Sequence, residues 1–341
     1  MSDVPGVQVP TVTQWLTTNV PGATAPFTFD FIAGGHSNLT YRVTGADGTR
    51  YVLRRPPLGH VLASAHDMGR EHRIISGLRN SAVPVAPALG FCDDPAVNDA
   101  PFYVMAFVDG TVLDSPEKGE LLPQHLRAGA SEHLVDVLAD LHAVDIDAVG
   151  LGDLAKREGY VERQVKRWST QWENSKTREL PAIEEVSRLL SRDIPVQQGV
   201  SIAHGDYRFG NVLTDVANGR VAAVLDWELC TLGDPLADLG YIGIYWTDPG
   251  QPINRANDPS GLAGFPAYDD LVDRYARRTG LDVSNVGYYR AFSSFRLAVI
   301  SEGVYARYLK GAMGTQDFDP TPMKLSTENL AEAALSALKG N

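Results

Sequence analysis

The sequence predicts a two-lobed α+β fold, a small lobe on a five-stranded antiparallel sheet followed by a larger, mainly helical lobe. Three observations carry this. Between Phe27 and Val108, short runs rich in β-branched and aromatic residues alternate with Gly- and Pro-containing turns. From Leu121 onward apolar residues recur at helical spacing. The chain has 341 residues, enough for each lobe to bury its own core.

Composition excludes several classes. A formal net charge of −12 leaves no basic excess to neutralise phosphates, which argues against a nucleic-acid binder. It fits a soluble enzyme and weakly favours a cationic substrate, although solubility accounts for most such charge. The two cysteines, Cys92 and Cys230, lack ligand-like spacing, so neither a disulfide framework nor a zinc site is expected and a reducing cytoplasm is the default. The start MSDVPGVQVP lacks the basic-then-apolar pattern of a secretory signal, and no apolar run reaches membrane-spanning length.

In chain order, residues 1–26 form a leading segment with a short helix at Thr11–Thr18, stopped by Asn19 and Pro21-Gly22. Trp15 and Leu16 can pack it onto the body. The small lobe, residues 27–109, opens with strands Phe27–Ala33, Leu39–Thr44 and Arg50–Arg54. The turn Gly34-Gly35-His36-Ser37-Asn38 joins the first two. Its glycines permit backbone N–H groups to approach a phosphate, with Ser37 and Asn38 adding side-chain hydrogen bonds. No Gly-x4-Gly-Lys-Ser/Thr phosphate loop occurs. After Pro56-Pro57-Leu58-Gly59 comes a helix over Ser64–Leu78, then strands Val83–Cys92 and Phe102–Val108, with Gly110 at the lobe boundary. The large lobe, residues 110–341, has helices at Leu126–His142, Tyr160–Ser175, Ala182–Ser191, Tyr268–Arg278, Val286–Leu309 and Met323–Lys339. Thr247–Pro266, rich in Pro, Gly, Asn and Asp, reads as a long loop. His142 is expected to be structural, and the basic face of Tyr160–Ser175 a solvated one.

Residues 202–241 carry the chemistry. Two β-rich runs, from Asn211 and from Val221 to Asp226, flank Asn218-Gly219, the dipeptide of a tight hairpin. A two-residue loop there places Ala217 opposite Arg220 and Asn211 opposite Asp226. Asp206 lies five residues before Asn211, close enough to fold over the same spot. An amide oxygen and a carboxylate suit a magnesium ion that keeps its waters and touches phosphates, and the second carboxylate can take a proton.

The run His204-Gly205-Asp206, Asn211 five residues on, and Asp226-Trp227-Glu228 resemble the catalytic core of the aminoglycoside phosphotransferase family, which shares its fold with the protein kinases. Gly34-Gly35-x-Ser37-Asn38, Tyr51-Val-Leu-Arg-Arg-Pro-Pro57 and Phe102-Tyr-Val-Met105 are closest to a branch that includes the kinase-like domain fused to some acyl-CoA dehydrogenases. The resemblance implies a bilobal protein-kinase-like fold and magnesium-dependent transfer of the ATP γ-phosphate to a small-molecule hydroxyl, on an aminoglycoside-like compound, another alcohol or a hydroxyacyl-CoA.

Residue by residue, it implies Asp206 as catalytic base, Arg208 near the transferred phosphate, and Asn211 and Asp226 as magnesium ligands, with Glu228 near a second metal. Gly35, Ser37 and Asn38 fall in the phosphate turn. Arg54 stands where the kinase pattern has its phosphate-binding lysine, and Glu71 is its partner. Met105 lines the adenine pocket, and Ala106 and Val108 offer backbone hydrogen bonds. His204 braces the loop, while Asp234, as a helix N-cap, and Asp238, bonding the catalytic loop's backbone, are supports. Arg54 in place of lysine is the one point for a nucleotide-binding pseudokinase with a regulatory role. A protein kinase is disfavoured because no Ala-Pro-Glu follows Asp226.

Overall fold

The protein is described by a computed structural model over residues 4–33, 38–58, 67–251, 258–310, 319 and 321–339. The small lobe is an antiparallel sheet of order β1-β2-β3-β5-β4, built from β1 (Thr28–Ala33), β2 (Leu39–Thr44), β3 (Arg50–Arg55), β4 (Ala88–Cys92) and β5 (Phe102–Ala106). Strand alternation sorts its side chains. Leu39, Tyr41, Val43, Tyr51, Leu53, Phe102 and Val104 enter one apolar cluster with Val12 and Leu16 of helix α1 (Val9–Asn19). The intervening Thr40, Val52, Arg54, Tyr103 and Met105 face a cleft between the lobes. The leading helix therefore belongs to the core of the sheet, with Leu16 fully buried and Trp15 edge-on to Phe102 at 5.0 Å. Helix α2 (Met68–Leu78) starts where the Asp67 carboxylate accepts the Arg70 N–H, and buries Met68, Ile74, Ile75 and Leu78 against the lobe interface.

The large lobe is helical: α3 (Pro116–Gly119), α4 (Gln124–His142), α5 (Tyr160–Ser175), α6 (Pro181–Arg192), α7 (Leu236–Ile242), α8 (Tyr268–Thr279), α9 (Val286–Leu309) and α10 (Thr321–Lys339). Helix α9 packs against α5, α6, α7 and α10, consistent with buried residues around most of its circumference. Two small antiparallel pairs lie at the lobe interface, β6 (Ser201–Ala203) with β9 (Thr231–Gly233) and β7 (Val212–Asp215) with β8 (Arg220–Val224).

Several boundaries move for physical reasons. The strand expected from Val83 begins at Ala88, because Pro84 and Pro87 have no N–H for a ladder. Their carbonyls serve elsewhere, Pro84 accepting from Val224 N–H and Pro87 from Ala106 N–H. The short α3, capped by Ser115, carries too little periodicity to show in sequence. The start at Ser64 and the middle of the Thr247–Pro266 loop lie outside the described residues. At the ends of that loop Thr247, Asp258 and Ser260 are buried and hydrogen-bonded to one another.

Candidate active site

The hairpin that carries the expected metal ligands closes differently from the sequence expectation. Its loop has four residues, 216–219, between Asp215 and Arg220, and a bulge lies between Leu213 and Thr214. The Gly219 N–H donates to the Asp215 carbonyl, and the Asp215 carboxylate ties Ala217 and Asn218, so an Asp takes part of the turn role assigned to Asn218-Gly219 alone. The extra loop residues and the bulge offset each other only in part. Asn211 consequently pairs with Leu225, whose N–H donates to the Asn211 carbonyl at 2.9 Å, and Asp226 follows one residue beyond. Asp226 adopts a left-handed backbone, φ +62°, which turns its carboxylate toward β3.

The loop before the hairpin is held from beneath. Asp238 on α7 accepts the N–H groups of His204 at 2.6 Å and Gly205 at 2.8 Å, and meets His142 at 3.3 Å. Burial opposes the Asp238 charge, but the His142 hydrogen bond and the Gly205 N–H outweigh it and hold the carboxyl below the usual range. His204 spans the loop, Nε2 at 2.8 Å from the Leu225 carbonyl and Nδ1 receiving the Asp206 N–H at 3.2 Å. That arrangement requires the neutral tautomer protonated on Nε2, a brace and not an acid. Gly205 has φ +85°, and a Cβ there would stand 2.9 Å from the Leu229 carbonyl. Arg296, buried in α9, donates to the Gly205 carbonyl and lies 5.0 Å over the Tyr241 ring. Asp234 accepts the Leu236 N–H at the start of α7, as an N-cap would, and also Gln198 N–H and Tyr289 O–H.

Asp206 itself is 20% exposed and takes a hydrogen bond from Arg208 Nε at 3.3 Å. The Arg208 guanidinium lies 4.7 Å above the Tyr245 ring, and its Nη1 is a buried donor without an acceptor among the described residues. A Cβ on Gly210 would overlap that same nitrogen, so only glycine admits this arginine pose. Asn211 Nδ2 donates to the Asp206 carbonyl at 2.7 Å, which fixes the amide and leaves Oδ1 as the atom it can offer a metal.

Across the cleft, Arg54 bridges the lobes: Nη2 donates to Asp226 Oδ1 at 2.7 Å and Nε is 3.0 Å from Glu71 Oε2. Arg54 is therefore paired with the expected metal ligand itself as well as with Glu71. Burial opposes the Arg54 charge, but Glu71 and Asp226 outweigh it and the guanidinium stays protonated. Burial pushes the Glu71 carboxyl up, against the pull of Arg54 and the Tyr103 O–H. Asn38, expected at the phosphates, donates its amide to Glu71 at 2.8 Å, and Tyr103 O–H donates at 3.0 Å. Asn38 is thus buried beside Glu71 and helps position it. Arg55 points to the opposite face, pairing with Asp99 and the Gly6 carbonyl. Gly35 and Ser37 lie outside the described residues.

The cleft holds a cavity of about 490 Å³ bounded by Val52, Arg54, Met105, Val108, Asn211 and Asp226, with Ala106 also in its wall. The Ala106 N–H is taken by Pro87, so a ligand draws only on the Ala106 carbonyl, whereas Val108 N–H has no acceptor among the described residues. Asn211 and Asp226 offer hard oxygens, the donor set that suits magnesium, which completes its shell with water and phosphate. The buried Arg208 Nη1, unmatched among the described residues, suits a phosphate oxygen. Among the described residues no helix is long and apolar enough to cross a membrane.

Three contributors escaped the sequence reading as site residues. Tyr103 was read only as part of a strand. The Tyr289 hydroxyl had no local signal. Arg296 had one, a lone cation inside the apolar run Phe292–Ile300.

Residues 28–278 match the model of the phosphotransferase enzyme family. Mouse acyl-CoA dehydrogenase family member 10 is 37% identical over 305 residues, covering 88% of this chain and 28% of its own length. The chain spans less than half the length of the curated relatives it matches. A crystal structure from Ralstonia eutropha, provisionally named an aminoglycoside phosphotransferase, superposes with a TM-score of 0.82 at 32% identity, over 97% of this chain and 98% of that one. A thermostable aminoglycoside phosphotransferase in complex with AMP-PNP and hygromycin B shares the fold, with a TM-score of 0.61 at 18% identity over 97% and 99% of the two chains. The fold is the bilobal, kinase-like one.

Proposed function

This chain belongs to the phosphotransferase enzyme family, and from that premise we propose that it transfers the γ-phosphate of ATP, with magnesium, to a hydroxyl of a small molecule. The observation that carries the reading is that Arg54, Asn211 and Asp226 line one cavity of suitable size, while Asp206 is hydrogen-bonded to Asn211 through its carbonyl and to Arg208 through its carboxylate.

In this reading the acceptor hydroxyl lies against the Asp206 carboxylate. Its oxygen bonds to the γ-phosphorus as the bond to the β,γ-bridging oxygen breaks, its proton passes to Asp206, and ADP leaves. Arg208 stabilises charge that grows on the transferred group, its idle Nη1 gaining an acceptor. Asn211 and Asp226 would hold magnesium, which when bound neutralises phosphate charge. Arg54 and Glu71 orient the nucleotide phosphates with a planar fork in place of a lysine point charge. The Ala106 carbonyl and Val108 N–H receive the base. The nucleotide in the AMP-PNP complex of the structural neighbour supports the use of a nucleotide.

The test is calorimetric titration of ATP and magnesium into the wild type, Asp226→Ala and Asp206→Asn, with ATP consumption followed against small alcohols, aminoglycosides and hydroxyacyl-CoA thioesters. The last class is included because the curated relatives carry acyl-CoA dehydrogenase names. Asp226→Ala should lose magnesium-dependent binding, and Asp206→Asn should bind and not turn over. A second reading, a nucleotide-binding pseudokinase, draws on the Arg54–Asp226 pair, which occupies an expected metal ligand. It predicts nucleotide binding with no turnover of any acceptor.

A further inference from the structure

A second cavity, of about 390 Å³, opens on the other side of the catalytic loop, between the start of α2, residues 228–231, α5 and α9. Gly205, next to Asp206, forms part of its wall. Its charged lining consists of Arg70, Arg167, Arg296, Asp67, Glu71 and Glu228. By count the charges balance, three arginines against three carboxylates, and what separates them is their partners: Glu228, like Glu71 and Asp67, has an interaction of its own. Glu71 is paired with Arg54, and the Asp67 carboxylate caps α2 through the Arg70 N–H. Arg296 is fixed to the Gly205 carbonyl. Arg70 and Arg167 form no ion pair with any carboxylate among the described residues, and Arg167 rests on the Trp168 ring at 5.2 Å. The segment 59–66 contains no acidic residue.

We propose that this cavity is the acceptor's anchor and that Arg70 and Arg167 select a hydroxyl compound bearing an anionic group, a phosphate or a carboxylate. The inference rests on the phosphotransferase reading for the hydroxyl that reacts, and adds the charge class of the molecule that carries it. Two guanidiniums without carboxylate partners among the described residues, one from each lobe, supply forked donors matched to such an anion. Arg296 connects the anchor to the loop, since the carbonyl it holds belongs to the residue before Asp206. The two arginines thus favour an anion, although the chain's overall charge of −12 weakly favours a cationic substrate.

The test uses inorganic phosphate as probe, titrated by calorimetry into the full chain saturated with AMP-PNP and magnesium so that the nucleotide cleft is filled. Acetate serves as the carboxylate probe. Wild type should bind at least one of them at millimolar concentration, and R70Q/R167Q should lose at least about tenfold in affinity, the scale of charge-assisted hydrogen bonds. AMP-PNP affinity should stay within twofold and the melting temperature should hold. R70K/R167K, which keeps charge and loses the fork, should fall between. In the acceptor panel, anionic hydroxyl compounds should be turned over and their KM should rise about tenfold in R70Q/R167Q with kcat little changed. Equal probe binding in wild type and R70Q/R167Q, or a best acceptor that is neutral or cationic with unchanged KM, overturns the anchor while leaving the phosphotransferase reading intact. Loss of AMP-PNP binding in wild type overturns that reading instead, and arginine-dependent binding of the probe would then leave the anion site standing alone.

Discussion

The two cavities that flank the catalytic loop are built in different ways. The one under the β-sheet is walled by strand and hinge residues such as Val52, Met105 and Val108, and in the proposed reading its specific contacts come from backbone at Ala106 and Val108. The one beneath α2 is walled by side chains from four separate elements, and in the proposed reading its specific contacts come from Arg70 and Arg167. A backbone-read pocket tolerates many sequences, so it can serve a nucleotide throughout a family. A side-chain-read pocket changes with every substitution and sets the acceptor. Asp206 lies at the join and Asp238 holds the join in place.

The comparison can be broken at the join first. Asp206→Asn keeps size and hydrogen bonds but removes the base, and should cost roughly 10²–10⁴ in kcat with nucleotide affinity unchanged. Equal loss of nucleotide affinity would mean that the loop serves the first cavity as well.

On the nucleotide side, Arg54→Ala leaves the buried Glu71 carboxylate without its cation. It should cost about 3–5 kcal/mol of stability by denaturant unfolding, while Arg54→Lys should recover part of it. An unaffected midpoint would show that Asn38 and Tyr103 suffice for Glu71.

Beneath both cavities, Asp238→Asn replaces an acceptor of two backbone N–H groups with a group that also donates, and should cost about 2–3 kcal/mol at neutral pH. The carboxyl is held below its unfolded value near 4. Its contribution is therefore complete above that value and is lost as the pH falls through the lower, folded value. The wild-type advantage over Asp238→Asn should shrink along that acid limb and stay flat from pH 6 to 8. A gap that narrows toward alkaline pH would contradict this.

The smallest effect is expected away from either cavity. Arg188→Ala removes an exposed pair with Glu185 and should change stability by no more than about 0.5 kcal/mol.

Much of the first cavity was legible because its parts are local. The alternation of β3 separates Arg54 from Arg55, and the spacing from Asp206 to Asn211 is one loop. The hairpin register was not legible, since a bulge and an Asp-tied four-residue loop shift the pairing by one without changing the Asn-Gly signal. Asn38 was read as a phosphate contact because the sequence does not reveal that its amide reaches Glu71, thirty-three residues on. The second cavity was invisible for the same reason. Arg70 and Arg167 look like solvated helix charges until the fold brings them to one space with Arg296. The N-terminal helix, set apart in sequence, shares the core of the sheet through Val12 and Leu16.

The most direct measurement follows radiolabel from [γ-³²P]ATP into the acceptor that consumes most ATP, in wild type and in Asp206→Asn, at matched nucleotide occupancy with magnesium. Label should appear on the acceptor hydroxyl with wild type and fall by roughly 10²–10⁴ with Asp206→Asn. Labelled acceptor forming equally fast in both, or nucleotide bound with no label on any acceptor, would contradict an Asp206-based phosphotransferase.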